Sequence, residues 1–328
     1  MSIEHEDWLA RTKEDPIEPE LPICDPHHHL WDQPDNRYLL EELFRDIGGG
    51  HNIVQTVFVE SQSLKKKDEA QPIGETKFVH RVSNQNARWQ YGKTKVAAGI
   101  VGFADLASGN AVNAVLRAQL AASDRFRGIR QIVSWHACDD VIFSPSQPRV
   151  LADKQFREGF ACLQEYGLTF ETFLYHTQLA ELLDLAMVSP DTTIILEHIG
   201  GPIGIGPYEK KRDEVFREWQ SSIAELATCP NVVIKLGGLG MPFCGFGWNK
   251  RTAPPDSAEL AEAMAPYYLW CIEQFGAERC MFESNFPVDK ESYSYTILWN
   301  AFKRISKGFS QEERAALFYN TAVKVYRL

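Results

Sequence analysis

Three consecutive histidines, His27, His28 and His29, lie between Asp25 and Asp32 in the segment DPHHHLWD. The chain has only nine histidines, so one third of them fall in this tripeptide. In an extended strand alternate side chains share a face, which places His27 and His29 together and turns His28 away. Two imidazoles at this spacing form a natural clamp for a metal ion. We therefore predict a functional site at His27 and His29, rather than imidazoles that only cap a strand end, and a structural role for His28.

Polar side chains also follow several other short apolar runs of the chain. His198 follows TTIIL and precedes two glycines that allow close approach of other groups. Arg127 and Arg130 lie in the run RFRGIRQIV; because arginines on buried strands are usually paired, we expect a carboxylate partner, either from a substrate or from a neighbouring strand. The remaining candidates of this kind are Glu60, Tyr175, His176, Lys235, Glu283, Asn285 and Asp289. Their recurrence at predicted strand ends indicates one shared site.

Eight short segments rich in Val, Ile, Leu and Phe have the pattern of buried parallel strands. These segments are LPICDPH, NIVQTVFVES, KVAAGIVGFADL, FRGIRQIVSW, LTFETFLY, TTIILEHIGG, NVVIKLGGL and RCMFESNFP. Segments with apolar residues at helical spacing separate them, and no hairpin signal joins any two. The first strand is followed by histidines and not by the glycine fingerprint of a dinucleotide-binding fold. The pattern predicts a single-domain α/β fold, a (β/α)8 TIM barrel with its site at the carboxyl ends of the strands.

The ends of the chain and its main loop carry further signals. Residues 1–20 contain prolines and charges with little periodicity and predict an irregular N-terminal arm, followed by a barrel domain over residues 21–328. Ser310 stands three residues before Glu313, which predicts a capping box. Pro266 is expected to kink a long helical segment. The loop 240–256, rich in Gly, Pro and aromatic residues, is expected to cover a site.

Composition limits the classes of partner. The chain has 328 residues, of which 44% are hydrophobic and 24% charged, as in ordinary globular proteins. A net charge of -10 argues against nucleic acid or an anionic membrane as a main partner, but a small anionic substrate remains compatible with it. Seven scattered cysteines without a CxxC pair predict reduced thiols in the cytoplasm. No apolar run approaches the roughly 20 residues that span a bilayer. We expect a cytoplasmic protein with a small-molecule substrate; a homo-oligomer is compatible with the fold, but no residue pattern predicts one.

Four motifs, DPHHHLWD, RFRGIR, LEHIGGP and RCMFESNFPV, in this order resemble the amidohydrolase-2 branch of the amidohydrolase superfamily. The resemblance is strongest to its lactonase-like group, which acts on sugar lactones and pyrone dicarboxylate, and it extends from about Pro22 to the end of the chain. It implies that His27, His29 and His198 are the family's site histidines. It also matches Arg127 and Arg130 to arginines that hold a substrate carboxylate in some members.

Asn285 departs from the family pattern, because SNFP replaces a motif of the SDWP type. The family's aspartate takes a proton from water and can bind a metal, whereas an amide cannot accept that proton and is a poor ligand. Three explanations follow, in decreasing order of preference. Another acid replaces the aspartate, with Glu283, Asp289 and Glu60 as candidates; the reaction proceeds without a metal; or the site has lost catalysis and only binds a ligand.

The resemblance implies hydrolysis of a small polar or carboxylated lactone. The expected catalytic residues are His27, His29, His198, Asn285 and Asp289. The expected substrate-binding residues are Arg127, Arg130, Tyr175, His176, Glu60 and Trp31. The three catalytic histidines either polarise the carbonyl directly or hold a divalent metal, Zn or Mn. The alternatives are a metal-dependent decarboxylase of an aromatic acid on the same fold and a non-catalytic ligand-binding barrel.

Overall fold

A computed structural model describes residues 3–33, 36–61, 72–89, 91–141 and 146–328. Eight parallel strands form one sheet in sequence order, and we number them β1 to β8. Their bounds are β1 Ile23–His28, β2 Ile53–Val59, β3 Lys95–Gly102, β4 Phe126–Arg130, β5 Thr169–Thr172, β6 Ile194–Leu196, β7 Val232–Leu236 and β8 Cys280–Phe282. All eight predicted strands are confirmed, and so is the predicted (β/α)8 barrel.

The barrel closes at the histidine motif. The backbone N–H of Asn285 donates to His27 O at 3.0 Å, and that of His29 donates to Phe286 O at 2.8 Å. Behind this contact, Asp25 accepts from Ser284 Oγ at 2.6 Å and Tyr295 Oη at 2.9 Å. The first and last strands therefore meet where the sequence predicts the site, so closure of the barrel fixes the histidine backbone.

Helices surround the sheet. They are α1 Ile3–Leu9, α2 Leu40–Ile47, α3 Pro72–Trp89, α4 Val112–Ala122, α5 Lys154–Glu165, α6 Leu179–Val188, α7 Arg212–Ala227, α8 Ser257–Phe275, α9 Tyr295–Ile305, α10 Gln311–Ala315 and α11 Thr321–Tyr326. Ser310 and Glu313 form the predicted capping box at α10. Helix α8 continues through Pro266 from Ser257 to Phe275. Among the described residues, no helix has both the length and the apolar character needed to cross a bilayer.

Helix α11 closes the N-terminal end of the barrel. A small apolar cluster inside the barrel, with side chains such as Val57, Val101 and Ile195, packs against Tyr326. The Tyr326 hydroxyl donates to Glu171 Oε1, and Glu171 Oε2 accepts from Lys235 Nζ at 2.7 Å. All three polar groups are buried. The end of the chain is thereby linked by hydrogen bonds to the interior of the barrel.

The N-terminal arm differs from the expected irregular segment. It begins with the short helix α1, whose Trp8 Nε1 donates to Arg251 O at 2.9 Å. Farther along, Glu14 accepts from Ser257 Oγ at 2.5 Å and from Asn300 Nδ2 at 2.9 Å. Sequence periodicity missed this helix because seven residues are too few to show a repeat. The arm packs against the loop before α8 and against α9.

Candidate active site

The imidazole of His27 lies between those of His29 and His198. Its Nε2 is 3.3 Å from His29 Nε2, and its ring centroid is 4.7 Å from that of His198. All three side chains are at most 3% exposed. His28 turns the other way, toward Thr56 Oγ1 at 2.9 Å. The alternation expected for a strand is therefore present, and the structure brings together the three histidines that the sequence singled out.

Hydrogen bonds assign the proton positions on these rings. His29 Nδ1 donates to Val59 O at 2.8 Å and His198 Nδ1 donates to Glu283 Oε1 at 2.6 Å, so each ring keeps a bare Nε2. Two groups lie near His27 Nδ1, Lys235 Nζ at 3.3 Å and Glu283 Oε2 at 2.7 Å, while Nε2 faces the bare nitrogen of His29, so the proton of His27 has an acceptor at either ring nitrogen. In metal sites, a hydrogen-bond partner on the ring nitrogen that does not bind the metal orients each histidine.

Burial keeps the imidazoles neutral. It lowers the pKa of His198 to about 4 and the pKa of His27 and His29 well below the usual value, and the nearby cations Lys235 and Arg130 act in the same direction. A neutral imidazole is the form that binds a metal ion.

Acidic groups outnumber cations around the histidines. Among the described residues, five buried carboxyl groups besides Asp25, those of Glu60, Glu171, Glu197, Glu283 and Asp289, share this region with two cations, Arg130 and Lys235. Burial raises the pKa of Glu283 to about 8, and its Oε2 lies 2.7 Å from His27 Nδ1. Buried negative charge in excess is costly unless protons or a bound cation offset it. The region is therefore electrostatically suited to a cation.

The donor atoms fit a divalent metal. His27, Glu197 and His198 each offer one ligand atom within 4.8 Å of the others, and His29 Nε2 adjoins this group through His27. Two histidines and one glutamate form a ligand set found at catalytic zinc sites, where a fourth position is left for water or substrate. The sequence interpretation named His27, His29 and His198 as ligands and did not anticipate Glu197, although it directly precedes His198.

Asp289 lies next to Asn285, the residue that occupies the position of the family's aspartate. Asn285 Nδ2 donates to Asp289 Oδ1 at 2.9 Å, while Asp289 Oδ2 accepts from Tyr293 Oη at 2.6 Å and Gly240 N at 3.2 Å. Burial raises the pKa of Asp289 to about 6 despite these donors. The carboxylate thus lies one hydrogen bond from the Asn285 amide and titrates near neutral pH.

Left-handed backbone occurs at the site. His198 and Asn285 have φ values of 52° and 55°, a region that costs a non-glycine residue roughly 1 kcal/mol or more. Gly238 lies so close that a Cβ there would be 2.4 Å from His198 Cβ. A glycine is therefore required opposite His198, and packing holds the histidine in this conformation.

The two arginines of RFRGIR have different environments. Arg130 donates through Nη1 to Glu60 Oε1 at 2.8 Å and through Nε to Glu197 Oε2 at 3.1 Å. This is the internal salt bridge that the sequence left open as an alternative to substrate binding. Burial opposes its charge, but Glu197 and Glu60 outweigh burial and raise the pKa of Arg130. Arg127 lies at the beginning of β4 and donates to the backbone oxygens of Asp124 and Phe126, away from the histidines.

The other expected substrate contacts lie around the carboxyl ends of the strands. Trp31 stacks on His29 with ring centroids 6.0 Å apart, and its buried Nε1 has no hydrogen-bond partner among the described residues. His176 Nδ1 accepts from Ile203 N at 3.3 Å, so its Nε2 carries a proton that also has no partner there. Tyr175 Oη instead donates to Val141 O at 2.9 Å.

The loop 240–256 packs next to the site. Its Phe243 ring lies 5.5 Å from that of Phe173, which in turn lies 5.6 Å from His198. Trp248 is buried and its ring lies 5.9 Å from Tyr293, the residue that donates to Asp289. The aromatic side chains of this loop therefore form part of the apolar wall behind His198 and Asp289.

Sequence reasoning assigned no role to Glu171 or Glu197. Both are fully buried, and each pairs with a cation from two strands away in the barrel: Glu171 of β5 with Lys235 of β7, and Glu197 after β6 with Arg130 of β4. The sequence signal that could have identified these two residues was the presence of acids and bases inside otherwise apolar strands. Such charges are rarely buried unless paired, so each buried base called for an acid nearby.

Comparison with known proteins adds independent information. A protein named y4mH from Sinorhizobium fredii is 34% identical over 94% of this chain and 99% of its own length. An L-fucono-1,5-lactonase from Burkholderia ambifaria is 26% identical over 93% of this chain and 95% of its own. A zinc-bound amidohydrolase structure from Burkholderia multivorans, 22% identical, matches with a TM-score of 0.73 over 93% of this chain and 99% of its own. The model of the amidohydrolase family matches residues 24–328, and the chain belongs to that family.

Proposed function

We propose that this protein hydrolyses the ester bond of a small polar lactone. The observation that carries the proposal is the group of His27, Glu197 and His198, with His29 beside it, at the carboxyl ends of barrel strands. The 26% identical L-fucono-1,5-lactonase supports a sugar-derived lactone as substrate. A divalent ion in this group, zinc by analogy with the amidohydrolase of known structure, would polarise the lactone carbonyl and lower the pKa of water toward ~7.

The protein's own groups orient the substrate and keep the site dry. Trp31 Nε1 and His176 Nε2 are donors without protein acceptors among the described residues, so they are available for substrate hydroxyl or carboxylate oxygens. Glu283 holds His198 through Nδ1, which directs the bare Nε2 of that ring away from the carboxylate. Phe173 and Phe243 close one side with apolar surface.

Asp289 is the group we assign to proton acceptance. It replaces the family's aspartate from four residues farther along the chain and is held to Asn285 by a 2.9 Å hydrogen bond. A general base is most effective when its pKa is near the working pH, and burial raises the pKa of Asp289 to about 6. Glu60 and Glu197 are less suitable because both are paired with Arg130.

A swap of two residues tests this assignment. Asp289→Asn is expected to lower kcat by about 10²- to 10⁴-fold, the usual contribution of a general base. The double variant Asn285→Asp/Asp289→Asn exchanges amide and carboxylate while keeping a hydrogen bond between them. It should recover part of the lost kcat, because it restores the acid at the family's position. Equal kcat in wild type and Asp289→Asn would contradict the assignment.

The overall activity is tested by acid release from a panel of five- and six-membered sugar lactones. Turnover is expected in protein supplied with zinc and should fall after chelation and return on addition of the metal. No turnover of any lactone by folded, metal-loaded protein would reject the proposed function. Carbon dioxide release from hydroxybenzoates in place of lactone opening would favour the decarboxylase alternative.

A further inference from the structure

A cavity lies at the opposite end of the barrel from the histidines. It has a volume of about 430 Å³ and lies at the beginnings of β2, β3 and β4. Gln55 and Lys95 line it and are register partners in the sheet. Leu328 closes one side, where its Cδ2 lies 3.0 Å from the position of a Cβ on Gly99. The volume is within the range of small-molecule sites.

Four cations line this cavity: Lys93, Lys95, Arg125 and Arg127. The hydrogen-bond partners of the two arginines are neutral. Arg125 donates to Ser83 Oγ at 2.6 Å and to Asn84 Oδ1 at 3.0 Å, and Arg127 donates to two backbone oxygens. Four cations together are unexpected on a chain whose net charge is -10. We name this region the cationic cavity.

Arg127 is the member with an unmet hydrogen-bonding group. Its Nε is buried and has no hydrogen-bond partner among the described residues. Burial lowers the pKa of Arg127, and repulsion from Arg327 and Arg125 adds to this effect, while attraction to the exposed Asp124 opposes it. A guanidinium crowded by like charges is stabilised by a bound anion, which also supplies an acceptor for the free N–H.

We propose that the cationic cavity binds a small dianion carrying a phosphate or dicarboxylate group. Two charges on the ligand match the cluster of lysine and arginine side chains, and a planar guanidinium suits bidentate contact with either group. The exposed Lys93 and Lys95 attract the ligand, and the half-buried Arg127 fixes it. The site is separate from the histidine centre and does not depend on the lactone reaction.

Binding can be measured on the full chain with inorganic phosphate and, in a separate arm, succinate. Titration calorimetry and thermal unfolding should both show saturable binding, because a ligand that binds only the folded state raises Tm. Lys93→Ala/Lys95→Ala should raise the dissociation constant by about tenfold, since each lost charge removes part of the attraction between protein and ligand. Arg127→Gln should raise the dissociation constant by about tenfold or more. A preference for one probe identifies the anion class.

Lys154→Ala/Lys307→Ala is the matched control, because it removes two exposed lysines elsewhere and changes the net charge equally. This control should bind the probes like the wild type. Lactone turnover of Lys93→Ala/Lys95→Ala should stay within about twofold of wild type, which separates the two sites. The proposal would be overturned if neither probe showed saturable binding. It would also be overturned if wild type and Lys93→Ala/Lys95→Ala bound the probes with equal affinity, because the probes would then bind at another site such as the histidine centre.

Discussion

The two ends of strand β4 place chemically identical side chains in opposite situations. Arg130, at the carboxyl end, is buried and paired with Glu60 and Glu197. Arg127, three residues earlier, is half-buried, donates to backbone oxygens and faces three other cations around a cavity. One arginine is an internal part of the histidine centre, and the other is the residue that we propose holds an external anion.

The difference shows that the charged groups at each end of the barrel, and not the motif, decide what an arginine does. In the sheet, Arg130 of β4 is the backbone register partner of Glu171 of β5. Glu60, which follows β2, and Glu197, which follows β6, reach the same level of the barrel and pair with Arg130. Near the beginning of the same strand, Gly99 of β3 lies against Arg127, and the acid that acts on this arginine is the exposed Asp124 and not a buried carboxylate. The predictions below test this separation of the two ends of the barrel.

The largest expected effect is on turnover at the carboxyl end. His198→Ala should lower kcat by more than about 10³-fold and reduce bound zinc, because it removes one donor of the His27, Glu197 and His198 group. Elemental analysis and lactone turnover measure both effects. His28→Asn is the control, since His28 faces Thr56, and it should retain zinc. Loss of zinc from His28→Asn but not from His198→Ala would reverse the assignment of faces.

The two arginines should differ most clearly in stability. Arg130→Met leaves Glu60 and Glu197 without their cation and should lower the free energy of unfolding by about 3–5 kcal/mol. Arg127→Met removes only neutral partners and should change it by about 0.5 kcal/mol or less. Urea unfolding of both variants gives the comparison. Similar losses for the two would mean that Arg127 has a structural role at its own end.

A smaller effect is expected for the carboxylate that holds His198. Glu283→Gln keeps the shape of the side chain but removes its negative charge, so zinc affinity should fall by about tenfold. Competition with a chromogenic chelator measures the affinity. The result can be set beside Glu259→Gln, an exposed acid that pairs with Arg251 on the surface and should leave zinc binding unchanged. Equal affinity in Glu283→Gln and wild type would remove Glu283 from the metal site.

The smallest effect concerns the link between the two ends. Tyr326→Phe removes a donor to buried Glu171 and should cost about 1–2 kcal/mol of unfolding free energy with little change in turnover. Tyr268→Phe is its control, because that buried hydroxyl has no hydrogen-bond partner among the described residues. Its loss should be neutral or stabilising. Turnover of Tyr326→Phe could fall by more than the loss of folded protein accounts for. That result would show that Glu171 and Lys235 act on His27 from the N-terminal end of the barrel.

Much of the fold could be predicted, because buried parallel strands are continuous apolar runs and leave a strong sequence signal. The face shared by His27 and His29 also followed from strand geometry. Asp289 was named from the sequence as a candidate substitute acid, but the 2.9 Å bond from Asn285 that holds it could not be predicted. That bond depends on the left-handed backbone of Asn285 and on Tyr293 and Gly240, which no local pattern reveals.

The sequence by itself determined the barrel, its eight strands and the side of each strand that carries a histidine, because strand periodicity is a local property of the chain. Tertiary structure alone decided that Glu197 joins His27 and His198, that Arg130 is internally paired and that Arg127 faces a separate cavity. These outcomes depend on the register between strands and on how the barrel closes. Register relates residues far apart in the chain, so it is absent from any single segment read alone.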